Sequence, residues 1–136
     1  MTRPGTVMVV DDDLSVRRSL MRLLESSGYD TLAFGSAEEL LALTEWPKLC
    51  CFVVDISMPG TTGFELLDAL RQRTPDVQVI LISGVADASR LIRAHSAGAV
   101  AFLAKPFDAT ELLALVERAL HRAATPTSAA PDAVDV

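Results

Sequence analysis

Short β-branched apolar runs recur five times along this chain, and each gives way to a stretch whose apolar residues fall at helical spacing. The runs are Val7 to Val10, a second within Thr31 to Phe34, Cys51 to Val54, Val77 to Ile82 and Val100 to Ala104. A helix between two strands carries the chain back to the edge where the previous strand began, so successive strands run the same way. The alternation therefore predicts βαβ units around a parallel sheet. With 136 residues, 50% of them apolar, there is material for one domain with a real core and too little for two ordinary ones.

The helical stretches carry their own start and stop signals. Val16, Leu20, Leu23 and Leu24 mark one face of a first helix that stops at Gly28. Ser36 stands three residues before Glu39, a capping-box pattern for a second helix from Glu38 to about Leu43, ended by Trp46-Pro47. The breaker-rich loop Met58 to Gly63 precedes a third helix with Phe64, Leu67 and Leu70, closed by Thr74-Pro75. A fourth places Ala88, Leu91, Ile92 and His95 on one stripe before Gly98. His95, a lone histidine on an apolar stripe, reads as a packed or edge residue rather than a catalyst. Asp108 with Glu111 caps a last helix bearing Leu112, Val116, Ala119 and Leu120. These limits give one domain over residues 6–122, a flexible start over 1–5, and a polar tail over 123–136 that lacks a periodic apolar face and is expected to be disordered.

Charge and cysteine content narrow the function classes. A net charge of −6 argues against direct nucleic-acid binding, which needs Lys and Arg in excess on one face. Cys50 and Cys51 are adjacent, without metal or redox spacing, and read as small buried hydrophobes of a reduced compartment. The early apolar run is too short for a secretory signal, and no segment has membrane-spanning length. A cytoplasmic protein is expected.

Where the strands end is more specific. The first apolar run stops at Asp11-Asp12-Asp13, the third at Asp55, the fourth at Ser83-Gly84 and the fifth at Lys105-Pro106. In open parallel sheets, ligands bind at the carboxyl ends of the strands. Asp11 and Asp12 alone suit a solvated helix start equally well. With Asp55 added, carboxylates facing one crevice repel one another unless a cation sits between them, and a hard ion such as Mg²⁺ answers that need. Lys105 offers a point charge and Ser83 a short hydroxyl, both suited to an anionic oxygen. Metal, ammonium and hydroxyl together describe a phosphoryl site in which a carboxylate can act as nucleophile. Asp55 is the best candidate, because it stands alone after an apolar run.

These segments resemble the receiver domain of bacterial two-component response regulators, and are most similar to FixJ-type receivers. The resemblance covers about Thr6 to Arg122. It rests on Val9-Val10-Asp11-Asp12-Asp13, on Val54 to Gly60 with Gly63 following, on Ile82-Ser83-Gly84, and on Phe102 to Phe107. It implies a flavodoxin-like, doubly wound, five-stranded parallel sheet in the order 2-1-3-4-5 with five helices. It further implies that Asp55 is the phosphoacceptor for a sensor histidine kinase. Asp12 would ligate Mg²⁺ directly and Asp11 through water, with Asp55 itself and the backbone carbonyl of Ser57 completing the set. Asp13 falls to the helix start. Ser83 would be the switch hydroxyl and Phe102 the aromatic that moves behind it. Lys105 would pair with the phosphoryl group, across a cis bond to Pro106.

In the family, the positions of Ser57 and Val85 tune the lifetime of the phosphoryl group. Implied partners are the kinase, a downstream protein or phosphotransfer protein, and a second copy of the chain in a phosphorylation-dependent homodimer. The response would appear on the face formed by the fourth helix, fifth strand and fifth helix. FixJ-type receivers are usually followed by a DNA-binding helix-turn-helix, whereas this sequence runs into a polar tail. A stand-alone receiver is expected first, and the receiver portion of a longer DNA-binding regulator second. A haloacid-dehalogenase-type phosphatase would need an acid two residues after the nucleophile, where Ser57 stands. An FMN carrier of the same architecture would need a Ser/Thr-rich phosphate loop after the first strand.

Overall fold

The computed structural model describes residues 5–84 and 87–125. Its elements follow the chain as β1 (Thr6–Val10), α1 (Leu14–Ser26), β2 (Asp30–Phe34), α2 (Ala37–Leu41), β3 (Cys50–Asp55), α3 (Gly63–Arg73), β4 (Val79–Ser83), α4 (Ala88–Ala97), β5 (Ala101–Ala104) and α5 (Ala109–Ala124). All strand pairs are parallel, in the order β2-β1-β3-β4-β5.

Strand periodicity sorts the core into two layers. Met8, Val10, Phe52, Val54, Val79 and Leu81 face α2, α3 and α4, where Leu40, Leu66, Leu67, Leu70 and Ala94 meet them. Val7, Val9, Cys51, Val53, Ile80 and Ile82 face the opposite layer, with Leu20 and Leu24 of α1 and Leu112, Val116 and Leu120 of α5. Because both faces are covered, β3 and β4 are buried along their whole length, which is why they read as continuous apolar runs. The adjacent cysteines fall in opposite layers. Burial pushes the Cys50 thiol up to about 11 and raises Cys51 as well, so both are inert hydrophobes.

Several boundaries differ from the sequence expectation. β4 begins at Val79 rather than Val77, and it takes in Ser83. α2 spans only Ala37–Leu41, and α5 continues through Ala124, two residues past the expected domain edge. The α4 stripe is the substantive correction. Ala88, Leu91, Ile92 and His95 do share a face, but it points to solvent, and the helix buries Ala94 instead. A period of 3.6 identifies a stripe without saying which way it faces. The flexible start and the disordered tail were assigned to segments of which residues 1–4 and 126–136 lie outside the described residues, as does Val85. Among the described residues, no helix is long and apolar enough to cross a membrane.

Two arginines near the end of α3 tie the short helices down. Arg73 donates from Nη1 to Leu43 O and from Nη2 to Leu41 O, each at 2.9 Å, while its guanidinium lies 5.3 Å from the Trp46 ring centroid. Arg71 Nη1 donates to Ala97 O at the end of α4 (2.9 Å), beside Gly98 with its left-handed φ of +93°. Arg73→Ala should therefore destabilise the fold by about 1–2 kcal/mol, read as a lower urea midpoint at unchanged m-value.

Candidate active site

Sheet register assembles the strand ends like steps. Val10 pairs with Val54, which puts Asp11 level with Asp55. Asp55 pairs with Ile82 one residue before Ser83, and Ser83 pairs with Ala104 one residue before Lys105. β1 and β3 are neighbours from which the chain departs to opposite sides, so Asp11 and Asp55 flank the topological switch point of the sheet.

Local bonds then fix each side chain. Asp55 Oδ1 accepts from Ser57 N at 3.1 Å, and Asp11 Oδ1 accepts from Asp13 N at 2.9 Å. Asp13 itself caps α1, its side chain accepting from Ser15 N and Val16 N, which agrees with its place at the helix start. The loop after Asp55 closes on Ile56 O, which accepts from Met58 N and Gly63 N. A capping box between Thr62 and Glu65 then starts α3. Glu38 holds the outer part of the loop by accepting from Thr61 N at 3.3 Å and from the Thr61 hydroxyl. The Lys105-Pro106 bond is cis.

Three carboxylates and one ammonium converge here. Asp11, Asp12 and Asp55 each present an oxygen within 4.8 Å of the others, with Asp11 and Asp55 buried and Asp12 exposed. Lys105 Nζ lies 3.3 Å from Asp11 Oδ2 and 3.6 Å from Asp55 Oδ2. Burial, and then the Asp11 charge, raise the Asp55 carboxyl above the ordinary carboxylate range. Burial of the Lys105 ammonium acts to lower its pKa, but the Asp11 and Asp55 carboxylates outweigh it and leave the pKa raised. Ser83 is fully buried at the next strand end. Phe102 is half-buried on β5, packed against the layer that contains Leu81.

A family model described as the response regulator receiver domain matches residues 7–117. The chain belongs to this receiver-domain family. It is 41% identical over 116 residues to nodulation protein W of Bradyrhizobium diazoefficiens, covering 85% of this chain and 51% of that protein. It is 35% identical over 123 residues to the transcriptional regulatory protein FixJ of the same organism, covering 90% of this chain and 60% of FixJ. Among solved structures, FixJ-N superposes with a TM-score of 0.81 at 35% identity, over 88% of this chain and 96% of that one. The chain thus spans about half the length of these two relatives.

For this receiver domain, every residue singled out at the four strand ends lies at one end of the sheet. Two further residues were not visible in the sequence. Arg17 Nη1 donates to Asp11 O at 2.8 Å, and Arg90 Nη1 donates to Ser83 Oγ at 3.1 Å. Both project from helices that carry other arginines, Arg18 and Arg22 on α1 and Arg93 on α4, so nothing in the spacing separates these two from their neighbours. The Thr62–Glu65 box was also missed, although a signal for it was there, since threonine three residues before glutamate is its signature.

Proposed function

We propose that this receiver takes a phosphoryl group onto Asp55 from a phosphohistidine on a sensor kinase, and that the change is read by a protein partner. The observation that carries the proposal is Lys105 Nζ set between Asp11 and Asp55 at 3.3 and 3.6 Å, at the switch point of the sheet. Asp55 is buried, and its Oδ1 is fixed by the Ser57 N–H, so the nucleophile is held in place before the donor arrives. Attack makes a bond between a carboxylate oxygen and phosphorus. The phosphorus–nitrogen bond to the imidazole breaks, and its electron pair leaves with the ring nitrogen. Lys105 faces the charge on the phosphoryl oxygens, and Ser83 supplies a hydroxyl to one of them.

Mg²⁺ fits the carboxylate cluster. Asp11, Asp12 and Asp55 each present a carboxylate oxygen within 4.8 Å of the others, an all-oxygen, anionic donor set of the kind a hard divalent cation takes. Asp11, Asp12, Asp55 and the Ser57 carbonyl would hold the ion, which when bound supplies positive charge against the transferring group.

The responding face comprises α4, β5 and α5, with Phe102 as the aromatic that follows Ser83. Leu91 and Ile92 of α4 are 54% and 65% exposed, which supports an apolar partner surface there, whether a downstream protein or a second copy of the chain. We further infer that the domain can serve as the receiver of a longer transcriptional regulator in the cytoplasm, with DNA contacts left to another domain. The coverage of only 51% and 60% of its relatives favours this arrangement.

Incubation with acetyl phosphate and Mg²⁺ should add one phosphoryl group by intact mass, and EDTA should prevent it. An unchanged mass on folded protein would overturn the proposal.

A further inference from the structure

We infer that Arg90 is a positioning residue that holds the Ser83 hydroxyl in its resting place, so that phosphorylation must break this bond to turn the switch. The inference rests on the phosphoacceptor assignment and concerns regulation of the same site. Ser83 ends β4 with no exposed surface, and its Oγ accepts from Arg90 Nη1 at 3.1 Å. Arg90 stands in the first turn of α4, where its own backbone N–H donates to the capping side chain of Asp87 at 2.8 Å. The bond therefore spans the connection between strand and helix and has a fixed foot at each end.

A guanidinium only donates, so Arg90 occupies a lone pair of the hydroxyl oxygen and anchors that oxygen by a charge-assisted bond. When Oγ swings toward a phosphoryl oxygen on Asp55, it leaves the guanidinium behind. There is room for the released group. A cleft of about 460 Å³ opens between the starts of α3 and α4, and Glu65 and Asp87 contribute carboxylates to its lining beside Arg90. The neighbouring Arg93 is committed elsewhere, with its guanidinium 4.1 Å from the Phe64 ring centroid. Because Leu91 and Ile92 follow Arg90 directly, release of the bond acts on the turn that carries the exposed apolar face.

The test is a double-mutant cycle on the binding of beryllofluoride with Mg²⁺, a phosphoryl mimic, titrated into wild type, Arg90→Ala, Ser83→Ala and the double variant. Arg90→Ala should tighten binding by about 10–100-fold, the equivalent of one such charge-assisted hydrogen bond no longer broken on activation. In the Ser83→Ala background the same substitution should change nothing. An unchanged or weakened affinity for Arg90→Ala, or an equal gain in both backgrounds, would overturn the inference, since a general charge effect does not depend on Ser83. Thermal melts establish folding, and Arg90→Gln replaces Arg90→Ala if the latter does not fold. Absence of binding by wild type would overturn the phosphoacceptor assignment and this inference together. Binding that is lost on Asp55→Asn but indifferent to Arg90 would overturn this inference alone.

Discussion

Asp55→Asn should abolish phosphoryl uptake from acetyl phosphate and, in the absence of Mg²⁺, make the domain more stable than wild type. Loss of the nucleophile accounts for the first effect, and the intact mass should stay at its starting value. The second follows from the direction of the Asp55 shift. Burial and the Asp11 charge raise its folded-state pKa, so the folded protein holds the proton more tightly than the unfolded chain. As pH rises from the ordinary carboxylate value through the raised one, the folded state loses stability, and the full cost is present once the pH exceeds the raised value. Asparagine removes that charge while Lys105 keeps Asp11 as a partner. A gain of about 0.5–2 kcal/mol, or a few degrees in Tm, is the expected size. The gap should shrink as pH falls toward the carboxylate range, and Mg²⁺ should raise the Tm of wild type more than that of the variant. A variant less stable than wild type at neutral pH without Mg²⁺ would contradict this account.

Gly63→Ala should be the most damaging single methyl in the domain. A Cβ at this position would lie 2.6 Å from Asp55 O and 2.7 Å from Ile56 Cα. Both are backbone atoms in the buried connection that aims the nucleophile, so neither can give way without moving Asp55 or the start of α3. A loss of about 2–3 kcal/mol in urea unfolding is expected. The phosphorylation rate of the remaining folded protein should fall by up to about 100-fold, because displacements near 1 Å have that effect on in-line chemistry. Gly60→Ala is the natural comparison. Gly60 adopts φ +78°, but its Cβ would meet only the Glu38 carboxylate, at 3.5 Å. It should cost about 1 kcal/mol through the backbone alone and leave the rate nearly unchanged.

The chain by itself determined the parallel α/β plan, the helix starts at Asp13, Ser36 and Asp108, and the set of strand-end residues. These depend on local chemistry. A β-branched run buried on both faces shows no polar alternation, and an N-cap needs only its own next turn. Asp11, Asp55, Ser83 and Lys105 were legible for the same reason, since each ends an apolar run. Other features were settled only in three dimensions. Leu91 and Ile92 had helical spacing, yet they face outward, because α4 buries Ala94 against its neighbours. Arg90 and Arg17 look like ordinary surface cations until the helices dock and bring them to Ser83 and to Asp11 O. Gly63 sits in a legible loop, but its need for a bare Cα comes from the backbone of Asp55 crossing above it. Local preference writes itself into residue order, whereas the facing of a stripe, the partner of a long side chain and the closeness of two backbones depend on how the elements pack.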